Sequence, residues 1–317
     1  IIQFIKFNSK QSKKLFLKKL SKKLLIIYIL ICLITNIARL IDENMYIHFV
    51  DVGQGDCTFI QTRNNKKILI DGGGNEIGED YVGENILLPY LLNRRSKVID
   101  YIFISHFDSD HCQGLLYVMQ DIKVKNVIIS KQFEYNENYK KFLKIAKQEK
   151  INIKIANKGD KIYIEKNLYF EVLWPDALEP ISDNKINNNS LVCKMVYKKF
   201  SMLFTGDIEK VAENEMVKEY TNGLKADILK VGHHGSKTST TKEFLDLINP
   251  SVALIGVGQN NKFGHPNEDV IKRLEEKNIQ IYRTDEMGEI SVIIDKNGKI
   301  KINTHIWIKC ILLNFKL

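Results

Sequence analysis

The sequence predicts an α/β fold, and three observations carry that prediction. Short apolar runs of strand length alternate with helical stretches through residues 42–303, no internal repeat interrupts them, and apolar residues make up 44% of 317 positions. A chain of that length and composition buries a sizeable core, while 27% charged residues fit neither a disordered nor a collagen-like chain. In order, strand-like runs rich in Ile, Val and aromatic residues fall at 45–52, 57–62, 68–70, 98–105, 124–130 and 151–156. They continue at 168–173, 191–197, 201–205, 228–231, 252–257, 281–284 and 289–294, the last followed by the turn signal Asn297-Gly298. Helical spacing marks 85–92, 113–121, 136–147, 209–220, 242–247 and 267–277. Hairpin-like strands lead into strand-helix units in a first half, and the pattern recurs in a second. The stretch between the halves, 176–190, is rich in Asn and Asp and reads as a mobile loop.

The formal charge of +9 would ordinarily point to an anionic partner, but its location decides otherwise. Residues 1–40 hold eight Lys, Arg39 and no acid, which leaves 38 basic and 38 acidic side chains in residues 41–317. The body of the protein is therefore not a uniformly basic nucleic-acid binder. The lysines lead into eleven uninterrupted apolar residues, 24–34, extended by 37–41. Residues 1–41 accordingly read as a basic flank and one hydrophobic membrane helix over 24–41, with a cleaved export signal and a buried helix as competing readings. An anchor would place residues from about 42 onward outside the cytoplasm on a single-pass membrane protein, and cleavage would release them. The first residue is Ile rather than Met, as in a piece of a longer protein. Residues 304–317 form a short apolar tail. Five Cys with no CxxC pair offer neither a disulfide framework nor a thiolate zinc site.

Chemistry concentrates where apolar runs end. His106-Phe107-Asp108-Ser109-Asp110-His111 follows YIFIS and places four metal-ligand side chains within six residues. Loops at the carboxyl ends of strands are the usual place for sites in α/β sheets. Oxygen and imidazole ligands without thiolate suit zinc, manganese or iron. One loop cannot fill two coordination spheres, and further candidates end other runs: Asp207 after SMLFTG, His233-His234-Gly235-Ser236 after ILKVG, and His265 before the amphipathic stretch at 267–277. Alone, Asp207 reads equally as a helix N-cap and each His as an ordinary hydrogen-bonded imidazole. Six to eight such groups at strand ends, from a chain with seven His, are hard to obtain as unrelated caps. The triple glycine Gly72-Gly73-Gly74 lacks a P-loop lysine pattern and reads as a tight turn behind a strand. Lys230, Lys237, Lys242 and Lys262 lie near the motifs in sequence, as a local basic patch or as solvated surface.

The HxDxDH segment, the TGD at 205–207 and the HHGS at 233–236 resemble the metallo-β-lactamase fold in the branch of the ComEC-type competence proteins. The resemblance extends to FVDVGQGD (49–56), LIDGGG (69–74), ILLPYL, NNSLV (188–192), NNKFGHP (260–266) and RTDEMGEI (283–290), and covers roughly residues 45–295. It implies an αββα sandwich with two divalent metal ions on one edge, zinc in the first place and manganese in the second. His106 and Asp108 would bind one, Asp110 and His111 the other, with Asp207 bridging. His234 would complete the second sphere and His233 would face the substrate, although the sequence leaves their order open. Asp108 stands where relatives more usually carry a second His, and no His lies between His111 and His233, so Asn188, Asn189 or Ser190 takes the place of a missing imidazole. Gln113-Gly114 replaces a customary Gly-Gly, a change that bears on helix packing.

Two cations about 3.5–4 Å apart would activate and orient a water, with Asp110 helping to hold it and His233 or His265 protonating the departing alkoxide. The expectation is a metal-dependent hydrolase of phosphodiesters, DNA among them. Other esters, lactams and a non-catalytic accessory role are the alternatives.

Overall fold

In the computed structural model, which describes residues 10–40, 42–74, 78, 80–221 and 223–305, two β-sheets lie face to face between helices. The strands of the first half are β1 (Met45–Phe49), β2 (Thr58–Gln61), β3 (Lys67–Ile70), β4 (Val98–Ile104), β5 (Lys123–Ile129), β6 (Asn152–Ile155), β7 (Lys161–Glu165) and β8 (Leu168–Trp174). Those of the second are β9 (Val192–Tyr197), β10 (Phe200–Phe204), β11 (Ile228–Lys230), β12 (Val252–Ile255), β13 (Gln280–Arg283), β14 (Glu289–Ile294) and β15 (Ile300–His305). One sheet has eight strands in the order β15-β14-β1-β2-β3-β4-β5-β6, the other seven in the order β13-β12-β11-β10-β9-β8-β7. Within them β3, β4, β5 and β6 are parallel, as are β10, β11, β12 and β13.

Alternation along the strands creates the layers. In β2, Phe59 enters the core beneath the helices and its neighbour Ile60 enters the core between the sheets. Phe103 of β4 and Phe170 of β8 meet across that inter-sheet core with ring centroids 4.4 Å apart. Truncating either to Ala would cost about 3–5 kcal/mol. The helices are α1 (Lys10–Leu40), α2 (Leu88–Asn93), α3 (Ser109–Asp121), α4 (Glu137–Gln148), α5 (Lys185–Asn188), α6 (Lys210–Glu219), α7 (Lys242–Ile248), α8 (Glu268–Glu276) and α9 (Thr284–Met287). Leu91 of α2, Leu115 of α3 and Phe142 of α4 pack on the outer face of the first sheet, and Met216 of α6, Leu245 of α7 and Leu274 of α8 on that of the second. The layering is αββα.

Several expectations change. Residues 1–43 and 44–317 separate into two units. α1 is helical for 31 residues, yet among the described residues no helix is long and apolar enough to cross a membrane. Its unbroken apolar run of eleven residues rises roughly 16 Å as a helix, against the roughly 30 Å of a bilayer core. The expected membrane helix over 24–41 is corrected on that ground; Ile41 and the tail from 306 onward lie outside the described residues. Two strands, β7 and β15, were not anticipated: both are short edge strands, with few buried side chains to mark them.

The segment 176–190, expected to be a mobile loop, is instead tied down at its far end. Asn187, Asn188, Asn189 and Ser190 are buried. Asn189 Nδ2 donates to Ile181 O (2.9 Å) and Lys185 O (2.7 Å), and Asn188 Oδ1 accepts from Glu209 N (2.9 Å). These amides are therefore structural, and Ser190, whose Oγ accepts from Asp207 N at 3.3 Å, is the member of the trio that meets the site.

Candidate metal centre

The parallel strands of both sheets end at one edge. Asp71 follows β3, His106 follows β4, Asp207 follows β10, and His233 and His234 follow β11. α3 begins four residues earlier than its apolar spacing suggested, so Asp110 and His111 sit on its first turn rather than in a loop. Gly72 N donates to His111 O (2.7 Å) and Gly114 N to Gly73 O (2.9 Å), which locks that turn onto the glycine segment. The triple glycine, expected as a tight turn, is instead an irregular segment that serves as a packing surface for α3.

Three imidazoles are oriented alike. His111 Nδ1 lies 3.0 Å from Asp71 Oδ2, and His234 Nδ1 lies 2.8 Å from Gly256 O. A carboxylate and a carbonyl only accept, so both Nδ1 atoms carry a proton, and in the neutral imidazoles both Nε2 atoms are lone-pair donors. Ser105 Oγ donates to Asp71 Oδ2 (2.7 Å) and so accepts from His106 Nδ1 (2.9 Å), which leaves His106 Nε2 bare as well, buried and without a hydrogen-bond partner. The Nε2 atoms of His111 and His234 face each other at 3.2 Å. Around them stand Asp207 Oδ1, 3.2 Å from His111 Nε2, and Asp207 Oδ2, 3.3 Å from His234 Nε2, with Asp110 Oδ2 3.2 Å from the latter. Asp108 Oδ2 lies 3.8 Å from His106 Nε2. Two Nε2 lone pairs 3.2 Å apart repel unless protons or a metal cation take them up, and the crowded carboxylates favour the same positive charge. The donor set fits a divalent metal.

The surrounding charges divide the three imidazoles. Burial, with His111 beside it, pushes His106 down to about 3, so its imidazole stays neutral. Burial raises Asp108 to about 6, with Asp110 and Asp207 adding to it against the pull of His111. For His111 and His234 burial acts to lower the pKa, but the Asp207 carboxylate, with Asp71 and Asp56 respectively, outweighs it and raises both.

The paired histidines diverge because both adopt left-handed backbone, φ +50° and +53°, a conformation that L-residues other than Gly seldom hold without surrounding support. His234 points inward and is 1% exposed. His233 turns to the rim, with Nε2 3.9 Å from Asp207 Oδ2 and Nδ1 3.4 Å from Glu209 Oε1. His265 packs edge-on against it at 5.7 Å. Burial, then His233 and His234, pushes His265 down to about 4. The following loop is clamped by Glu213, which accepts from the backbone N–H groups of Thr240 and Thr241, and by Arg273, whose Nη1 donates to Thr240 O (2.6 Å).

Every residue singled out from the sequence, His106, Asp108, Asp110, His111, Asp207, His233, His234 and His265, therefore lies in or beside one cluster. Four others were missed: Asp56, Asp71, Ser105 and Lys230. Asp71 ends the LID motif after an apolar run, the same signal that found Asp207, whereas Asp56 closes the VGQGD turn just before β2. Lys230 is not on a surface patch at all. It is 3% exposed, and a charge inside the buried run ILKV was the clue to a partner.

The sequence profile described as the Metallo-beta-lactamase superfamily matches residues 50–258. The chain belongs to this superfamily. ComE operon protein 3 of Bacillus subtilis (strain 168) is 36% identical over 255 residues, covering 77% of this chain and 32% of that protein. Recombination protein 2 of Haemophilus influenzae is 33% identical over 243 residues, covering 77% and 28%. The chain thus spans about a third of the length of the curated relatives it matches. Among solved structures, CmlA, a diiron β-hydroxylase from Streptomyces venezuelae, has a TM-score of 0.51 at 13% identity, covering 76% of this chain and 53% of that one. That likeness concerns the superfamily fold alone.

Proposed function

We propose that this metallo-β-lactamase superfamily member is a metal-dependent hydrolase acting on phosphodiesters, with DNA as the candidate polymer. The observation that carries the reading is the convergence of the Nε2 atoms of His111 and His234, 3.2 Å apart, with Asp207 against both. His106, Asp108, Asp110, His111, Asp207 and His234 would hold two divalent cations, zinc or manganese. Bound there, the cations supply a Lewis acid and an activated water. The protein supplies the rest. Asp71 and Gly256 O fix the tautomers, Ser105 relays His106 to Asp71, and Asp207 joins the imidazoles of both halves. His233, oriented by Glu209 and flanked by His265, stands on the rim to pass a proton to the departing alkoxide.

An oxygen-rich ligand set favours phosphate esters over carbonyl substrates, and recombination, in one relative's name, is a process of DNA. Beside His233, the pocket that Glu209 lines is of mixed charge, with Lys210, Lys237, Lys242 and Arg273 against Asp183, Glu209 and Glu243. The basic groove formed by Lys66, Lys67, Arg95, Lys97, Lys123 and Lys125 around Asp100 lies at the starts of β3, β4 and β5, the opposite edge. Placement outside the cytoplasm belongs to the same proposal, on the export-signal features of the N-terminus, and cell fractionation tests it.

The deciding experiment measures bound metal on the full chain and assays single-stranded DNA, duplex DNA, a simple phosphodiester and a lactam in parallel. Metal-dependent phosphodiester cleavage that Asp207→Ala abolishes is expected. A chain without metal, or activity unchanged in Asp207→Ala, refutes the proposal, and turnover of the lactam alone replaces the substrate class.

A further inference from the structure

Asp56 stands in the same cluster as His111, Asp207 and His234, one donor atom from each lying within 4.8 Å of the others, so proximity alone would make it a fourth ligand. Direction argues otherwise. Asp56 Oδ1 approaches His234 on its Nδ1 side (3.6 Å) and Oδ2 approaches His111 on its Nδ1 side (3.8 Å). Those sides already serve Gly256 O and Asp71, and the Nε2 atoms point away from Asp56. What Asp56 Oδ2 does hold is the Lys230 ammonium, in close contact. The same ammonium donates to Gly206 O at 2.8 Å and reaches Asp207 Oδ1 at 3.3 Å. Both side chains are buried, and buried charges persist only when paired. The carboxylate is also wedged in place: a Cβ on Gly256 would stand 2.3 Å from Asp56 Oδ1. The space behind it is a cavity of about 20 Å³ that Lys230 also lines, no larger than one water needs.

We infer that Asp56 and Lys230 form a neutral ion pair behind the metal centre, and that Asp56 serves to neutralise the Lys230 ammonium rather than to bind metal. The inference rests on the metal-centre reading above. Lys230 engages one side of Asp207 and leaves Oδ2 facing His234. The two charges cancel at the centre, whereas either alone would not: an unpaired ammonium repels a divalent cation, and an unpaired carboxylate attracts one.

The test is a double-mutant cycle read by Mn²⁺ and Zn²⁺ dissociation constants on the full chain, with thermal melts to verify folding. Asp56→Asn, which strands Lys230, is expected to weaken binding at least ~10-fold, and Lys230→Met to tighten it. The charge-neutral double variant is expected to return to within about 3-fold of the wild type. A double variant as weak as Asp56→Asn alone would make Asp56 a ligand and overturn the inference. If a single variant fails to fold, the double variant against the wild type decides by the same two outcomes. A wild-type chain that binds neither metal instead overturns the metal-centre reading itself, so the two failures are distinguishable.

Discussion

Gly114→Ala tests how the metal loop is held. Gly114 lies on α3 three residues after His111, and a Cβ there would stand 2.1 Å from Gly72 O and 3.3 Å from Gly73 O. Both obstacles are backbone, so no side-chain rotation relieves them. Ordinary contact begins near 3.4 Å, so α3 and the glycine segment would have to part by about 1.3 Å, straining the bonds Gly114 N to Gly73 O and Gly72 N to His111 O. Overpacking of this kind costs about 1–3 kcal/mol and each hydrogen bond contributes about 1 kcal/mol, while Ala is the better helix former by about 1 kcal/mol. The expected net loss is roughly 2–4 kcal/mol, or roughly 5–15 °C in Tm for a domain of this size. Because His111 rides on the displaced turn, metal affinity should fall by at least ~10-fold as well. Thermal melts and metal titration measure both. A variant that melts within about 1 °C of the wild type and binds metal equally well would refute the packing argument.

Asp71→Asn removes the acceptor that fixes the His111 tautomer and takes the proton of Ser105; metal affinity should drop about 10–100-fold, and an unchanged titration would contradict the geometry. Chelation of the loaded chain should lower its melting temperature, since a metal present at 100 times its Kd contributes about 2.7 kcal/mol; equal melts with and without chelator would sink the idea of a structural metal centre. Glu213 provides a pH test away from the ligands. Burial raises its pKa from 4.5 to about 7, against the opposing hydrogen bonds from Thr240 and Thr241. An acid whose folded pKa is raised gives stability that is full below about pH 4.5 and lost as pH rises through 7. The stability of the wild type relative to Glu213→Gln should therefore fall by about 3 kcal/mol between pH 4 and pH 8 in denaturant titrations, and a difference flat across that range would show that Glu213 does not titrate there.

What the sequence made legible follows from how each feature is encoded. The elements of the core were readable because β4 or β12 must be apolar along nearly its whole length to be covered on both faces, and such runs stand out from any background. β7 and β15 have few buried side chains to mark them, although the edge strands β6 and β13, no better buried, were legible. The ligands were readable for the same geometric reason as the strands: parallel strands deliver their C-terminal ends to one edge, so a polar group just past an apolar run is a site candidate wherever it occurs. That rule finds Asp71 as readily as Asp207, but not Asp56, which lies just before β2 in the connection between the antiparallel strands β1 and β2. Lys230 required the opposite inference. Its neighbours in sequence are apolar, its partners Asp56 and Asp207 are 174 and 23 positions away, and nothing local names either of them. A lone charge within a buried strand states only that a counter-charge exists. The fold then supplies it, and here the counter-charge is a carboxylate that proximity alone would have counted among the metal ligands.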